Sequence, residues 1–192
     1  TKGIGHKEFK ETPIGKTPKT WKISRLNEAI VECKTGIPVK KQDRISGPYP
    51  YFGANGIIDY VHDYIFDGEY VIVAQDGSIG AIHYFNGKFW ANNHVWVIKT
   101  RAFLHVKFLY YFLQTLNWKT LSTGSTRPKV TEGVLLRVTI PIPPFKEQEK
   151  IADILSSVDK ILQLKKEKKE KLIRMKKRIM DLLLTGKVRV SI

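Results

Sequence analysis

The residues best suited to chemistry lie in Ser122-Thr123-Gly124-Ser125-Thr126-Arg127-Pro128-Lys129. Hydroxyls and loop N–H groups donate to phosphate oxygens, and an arginine fork fits a phosphate or a guanine edge. The chemistry this composition suits is the grip of a polyanion, although a plain solvated loop can look the same. Gln75-Asp76-Gly77-Ser78 and Asn92-Asn93-His94 are similar polar tips, whose amides can pair with adenine edges or simply close turns. Lys40-Lys41-Gln42 adds a basic corner. The candidate nucleic-acid contacts are therefore Lys40, Lys41, Gln75, Asp76, Ser78, Asn92, Asn93, Thr123, Ser125, Thr126, Arg127 and Lys129. Tyr49, Tyr51 and Phe52 could stack on bases, but packing beneath a loop is the favoured reading.

Covalent chemistry finds little support. Gly15-Lys16-Thr17 matches the end of a phosphate loop, but Lys10 stands where its first glycine belongs. Pro143-Pro144-Phe145 resembles part of an amino-methyltransferase site, yet Ile142 replaces the polar residue that accepts from the target amine. Glu8-Phe9-Lys10 fits the tail of a nuclease motif without its upstream Pro-Asp. His6, His62, His83, His94 and His105 lack zinc spacing, and Cys33 is the only cysteine. The expectation is a non-catalytic binder that holds no cofactor or metal itself.

The formal net charge is +15, which points to a polyanionic partner. Nucleic acid is the leading class; an anionic membrane or ribosomal RNA gives the same sign. Residues 146–192 carry 14 Lys and Arg against 7 Asp and Glu, so both halves of the chain share the excess. A single cysteine forbids an internal disulfide, and no apolar run is long enough to span a bilayer. These features favour the cytoplasm and argue against a membrane partner.

Which elements would position these residues? Residues 1–20 read as a polar arm or linker, and Trp21–Ile30 as the first part of the fold proper. Pro48–Gly56 is turn-rich, with Asn55-Gly56 favouring a tight turn. Glu69–Ala74, Ile79–Phe85 and His94–Lys99 read as strands separated by Asp76-Gly77-Ser78, Asn86-Gly87 and Asn92-Asn93. Leu104 to about Leu116 is helical, with Phe108, Leu109, Phe112, Leu113 and Leu116 on one face, and Leu135–Ile142 is a last strand. The expected class is α+β: a body over 21–145 built on a twisted mixed or antiparallel sheet, then a long coiled-coil-type helix over 146–185 and a tail over 186–192.

The helix follows Pro141-Ile142-Pro143-Pro144, and no glycine or proline interrupts 146–184. With Ile151 at heptad position a, the a and d series includes Ile151, Ile154, Val158, Ile161, Leu172, Met175, Ile179 and Leu182, with Lys165 and Lys168 between the two apolar seams. A lone helix cannot bury such seams, so a partner helix is expected. Residues 151–182 would span roughly 48 Å, on the order of 14 base pairs.

Three segments carry a resemblance. Ile142-Pro143-Pro144-Phe145-Lys146-Glu147-Gln148-Glu149-Lys150-Ile151-Ala152 resembles the start of the conserved helix in DNA-specificity subunits of type I restriction–modification systems. Tyr51-Phe52-Gly53-Ala54-Asn55-Gly56 with Asp76-Gly77-Ser78-Ile79-Gly80, and Thr123-Gly124-Ser125-Thr126-Arg127, resemble that family's target-recognition domain. The resemblance implies one recognition domain and one helical spacer of a subunit that usually carries two of each. It implies double-stranded DNA as ligand and a two-part target. It also implies methylation subunits binding S-adenosylmethionine and a restriction subunit using ATP and Mg²⁺. A half subunit could pair its helix with a second copy as a homodimer, or form half of a tandem subunit. Thr1–His6 resembles the connector after a first spacer helix, which favours fragment origin. A helix-mediated interaction protein with only non-specific nucleic-acid affinity is the alternative.

Overall fold

Tyr70 to Ala74 is buried without a break, because alternate side chains of this strand enter two different cores. Val71 and Val73 pack with Leu26, Ile98, Leu109 and Leu113. Tyr70 and Ile72 pack with Phe52, Phe66, Phe89 and Val97. A sheet covered on both faces produces such a run, as the β-branched sequence suggests. The computed structural model describes residues 5–124 and 128–189. Ser125, Thr126 and Arg127 therefore lie outside the described residues.

In chain order the elements are β1 (Phe9–Thr12), β2 (Gly15–Pro18), β3 (Lys22–Arg25), α1 (Leu26–Ala29), β4 (Ile30–Thr35), a 3₁₀ turn (Lys41–Asp43), β5 (Ser46–Gly53) and β6 (Gly56–Val61). Then come β7 (Phe66–Ala74), β8 (Ile82–Ala91), β9 (Val95–Thr100), α2 (Val106–Gln114), α3 (Trp118–Leu121), α4 (Glu132–Leu136), β10 (Thr139–Ile142) and α5 (Phe145–Leu184). The main sheet has six strands in the order β4-β9-β7-β8-β5-β6. All its pairings are antiparallel except the short one between β5 and β8. Two small sheets pair β1 with β2 and β3 with β10. The architecture is α+β.

Several local expectations change. The 1–20 segment, expected as an arm, holds the β1–β2 hairpin. Pro48–Gly53 is strand rather than turn, although the reversal at Ala54-Asn55 occurs as Asn55-Gly56 suggests, with Gly56 at φ +100°. Tyr51 and Phe52 are buried, as packing residues should be. Asn86-Gly87 does not turn: it lies inside β8, paired with Glu69 and Gly68. The strand expected from Leu135 begins only at Thr139. Thr131 caps α4 by accepting from the Val134 N–H, and Leu135 enters the core as a helical residue. The helix expected from Leu104 starts at Val106, capped by His105.

The chain forms two compact units, Thr1–Ala152 and Asp153–Ile192. The first turns of α5 thus belong to the body. Gln148 explains why. It is fully buried, donates through Nε2 to the carbonyls of Phe103 (3.0 Å) and Pro143 (2.8 Å), and accepts at Oε1 from the His105 N–H (2.8 Å). Glu147 beside it meets His6 Nε2 at 2.8 Å and accepts from Trp21 Nε1 at 3.1 Å. Ile151, expected at a helix interface, instead packs against the body's core.

The second unit is helix with a short tail. Ile154, Val158, Ile161, Leu172, Met175 and Ile179 are all exposed, while Leu182 is half-buried. Among the described residues no helix is long and apolar enough to cross a membrane.

Candidate nucleic-acid interface

Strand register brings three polar segments together. Ala74 of β7 pairs with Val95 of β9, so the residues following β7 meet those preceding β9. The Gln75 N–H donates to the His94 carbonyl at 3.0 Å. The Gln75 side chain donates to Thr35 Oγ1 (3.3 Å) and to the Val95 carbonyl (3.4 Å). On its other side, the Gln75 carbonyl accepts from the Val130 N–H at 2.7 Å. That last bond docks the 122–130 segment.

The docked segment is closed at its base. Thr123 and Lys129 exchange two backbone hydrogen bonds of 2.8 Å each. Trp96 Nε1 donates to the Val130 carbonyl at 2.8 Å and holds it on the sheet. Thr123 and Lys129 themselves are exposed. Ser125, Thr126 and Arg127, which fall between the two bridged positions in sequence, lie outside the described residues.

Asp76 is the exception among the expected contacts. It is 5% exposed, and its carboxylate is already engaged, with His94 Nδ1 at 2.7 Å and Lys129 Nζ at 3.6 Å. A buried acceptor so occupied organises its neighbours rather than reaching a base, so it leaves the set of contacts. Burial of a carboxylate demands such partners. Ser78 donates to Asn55 Oδ1 at the tip of the β5–β6 hairpin. His83 Nε2 lies 3.2 Å from the Ala54 carbonyl of the same tip. Asn92 caps the last turn, accepting from the His94 N–H at 2.9 Å, while Asn93 is exposed.

The β4 end joins the cluster through a close backbone approach. The Gly36 N–H donates to the Asn92 carbonyl at 3.1 Å. A Cβ at Gly36 would fall 1.9 Å from the Ala91 carbonyl oxygen, so no side chain fits there. The resulting end of the sheet gathers Thr35, Asn55, Gln75–Ser78, Asn92–His94 and the Thr123/Lys129 bridge. It offers hydroxyls, amides, an imidazole and an ammonium, which suit hydrogen bonding to phosphates and base edges.

Lys40 and Lys41 are exposed but belong to another local structure. Arg44 holds it together: Nε donates to the Val39 carbonyl (3.0 Å), Nη1 meets Asp59 (3.1 Å), and the guanidinium lies 4.5 Å from the Tyr51 ring centroid. The hydrogen bond from Arg44, helped by the Tyr60 N–H, keeps the Asp59 carboxyl below its ordinary range. The structure does not join these two lysines to the cluster by any contact among the described residues.

Sequence reasoning missed Thr35, Asn55 and the clasp of His94 by Asp76. No spacing signals these partners, since β-strand register alone makes them neighbours. Trp96 was equally silent, because an indole anchoring a loop carbonyl looks like any core aromatic.

The type I restriction modification DNA specificity domain matches residues 18–174, which spans most of the body and much of α5. The chain belongs to this family. A putative type I restriction enzyme specificity subunit of Haemophilus influenzae is 43% identical over 125 residues, covering 63% of this chain and 32% of the relative. The type I restriction enzyme MjaVIII specificity subunit of Methanocaldococcus jannaschii is 29% identical, covering 100% of this chain and 52% of the relative. The chain therefore spans about half the length, or less, of these curated relatives. Among solved structures, the type I restriction–modification S subunit from M. genitalium matches with TM-score 0.65 at 22% identity, over 84% of this chain and 44% of that one. The HsdS subunit from Thermoanaerobacter tengcongensis matches with TM-score 0.63 at 20% identity, over 91% and 47%. Both likenesses concern the fold.

Proposed function

We propose that the chain is one DNA-reading half of a type I restriction–modification specificity subunit. In this reading the sheet end bearing Gln75, Ser78, Asn92, Asn93, Thr123 and Lys129 faces double-stranded DNA, together with Ser125, Thr126 and Arg127. Lys40 and Lys41 supply flanking phosphate contacts. The chain positions partner subunits and performs no covalent step; S-adenosylmethionine, ATP and Mg²⁺ are held by methylation and restriction subunits. Helix α5 pairs with a second spacer helix, from another copy or from the other half of a tandem subunit. Two such heads would read a two-part target, palindromic if the heads are identical.

The observation that carries this reading is the single family match running from the body into α5. The convergence of three polar segments on one sheet end supports it independently. Binding of the chain to a random duplex pool tests it, followed by salt titration of the enriched sequence. Log affinity should fall linearly with log salt, and Lys129→Ala should lower the slope by about 1. Equal affinity for every duplex, or a slope insensitive to that change, would remove this sheet end as the reading head.

A further inference from the structure

We propose that His94 determines specificity by accepting a hydrogen bond from an exocyclic base amine in the major groove. The inference rests on the DNA-reading role above and assigns a particular chemistry to one residue. His94 is clamped on both sides of its backbone: its N–H donates to Asn92 Oδ1 (2.9 Å) and its carbonyl accepts from Gln75 (3.0 Å). Its ring is fixed by Asp76 through Nδ1 at 2.7 Å. Asp76 is itself 7% exposed in its side chain and bound to Lys129, so it has little freedom to turn away. Yet the imidazole remains 43% exposed. A side chain held this firmly and still presented outward has little rotamer freedom left to lose on binding.

The partner chemistry follows from the donor and acceptor inventory. A carboxylate accepts only, so the proton shared with Asp76 belongs to Nδ1. On a neutral ring Nε2 is then an acceptor, and among the described residues it has no partner. Phosphates and sugars of a DNA duplex offer no donor to meet it. The major-groove donors are the N6 amine of adenine and the N4 amine of cytosine. The Lys129 ammonium and the exposed Asn93 side-chain amide are donors that suit a phosphate. The neutral His94 ring, by contrast, only accepts at Nε2, which suits a base amine and not a phosphate.

Every base pair carries one such amine, so the test must remove the amine rather than change the letter. The wild-type chain and His94→Phe, which keeps a ring but lacks Nε2, are each used to enrich sequences from a random duplex pool. Thermal melting checks that the variant folds. His94→Phe should relax preference at one base pair by about tenfold and leave the other positions as they were. At that pair, purine in place of adenine, or 2-pyrimidinone in place of cytosine, should weaken the wild type about tenfold and leave His94→Phe unchanged. The amine-free duplexes test the wild type even if the variant does not fold: no loss at any position overturns the proposal. Retention of every preference by His94→Phe, or a uniform loss across sequences, overturns it as well. If the wild type enriches no sequence, the DNA-reading role itself falls; if it enriches one that His94→Phe reads equally well, only this assignment falls.

Discussion

Replacing Gln148 by leucine tests whether the root of α5 is held by hydrogen bonding or by packing alone. The two side chains are similar in volume, so the change removes polar partners more than it opens space. Three backbone groups lose their mates: the carbonyls of Phe103 and Pro143 and the N–H of His105. The bond to Pro143 is buried and the other two are part-buried. An orphaned buried group costs about 1–3 kcal/mol, while a part-buried one can recruit water and sits at the lower end. The sum is about 3–4 kcal/mol of body stability. For a domain of this size that corresponds to a fall of roughly 10 °C in Tm. Urea titration read by tryptophan fluorescence measures it, because Trp21, Trp90, Trp96 and Trp118 all lie in the body. Glu147→Gln is the control: the amide oxygen still accepts from Trp21 Nε1, and the site is partly solvated, so about 1 kcal/mol or less should be lost. A loss below about 1 kcal/mol for Gln148→Leu would refute the reasoning, since the side chain would then be an incidental occupant of its pocket.

The remaining predictions concern the helix and the lone thiol. Ile161→Asp and Met175→Asp, both on the exposed stripe of α5, should weaken association with a partner helix at least tenfold while leaving the body's melting unchanged. Sedimentation checks the first outcome and calorimetry the second; unchanged assembly would show that this stripe is not the seam. Burial, with a smaller contribution from the charge of Glu132, pushes the Cys33 thiol up from about 9 to about 12. Cys33 should therefore react slowly with a disulfide reagent at mildly alkaline pH and rapidly once the chain is unfolded. Between those two values the native state retains a proton that the unfolded state has lost, so the contribution to stability is present below pH about 9 and shrinks as pH rises towards 12.

What could be read in advance was whatever depends on local pattern. The run Val71-Ile72-Val73 announces a covered strand, and a stretch from 146 to 184 with neither glycine nor proline announces one helix. Both occur, in β7 and α5. Local pattern failed where a distant partner decides. Asn86-Gly87 has turn chemistry, yet Gly68 and Glu69 opposite it continue the ladder. Leu135 has strand-like neighbours, yet the Thr131 cap commits it to a helix. Lys40 and Lys41 looked equivalent to Lys129 by charge alone; Lys129 alone reaches Asp76, because Thr123 and Gln75 bring it there. Asp76 looked like a polar tip and proved to be a buried clasp. Apart from that cap, which lies only four residues from Leu135, the missing information was register between segments far apart in sequence.

The two hydrogen-bond networks of the body divide its work. One comprises His6, Trp21, Phe103, His105, Pro143, Glu147 and Gln148, and it is built from side chains gripping backbone carbonyls, backbone N–H groups and one another. The other comprises Thr35, Asn55, Gln75, Asp76, Ser78, Asn92, His94 and Lys129. They have no residue in common. Interactions without shared members are the ones whose perturbations add rather than couple. Side chains of the second set can therefore change, and with them the pattern of donors and acceptors at that end of the sheet, without unfastening the root of α5. The root in turn depends on Gln148 meeting main-chain atoms of Phe103, Pro143 and His105, and on side chains outside the second set: His6 and Trp21 at Glu147, and the His105 ring beside Phe145. The separation arises from which atoms each network binds.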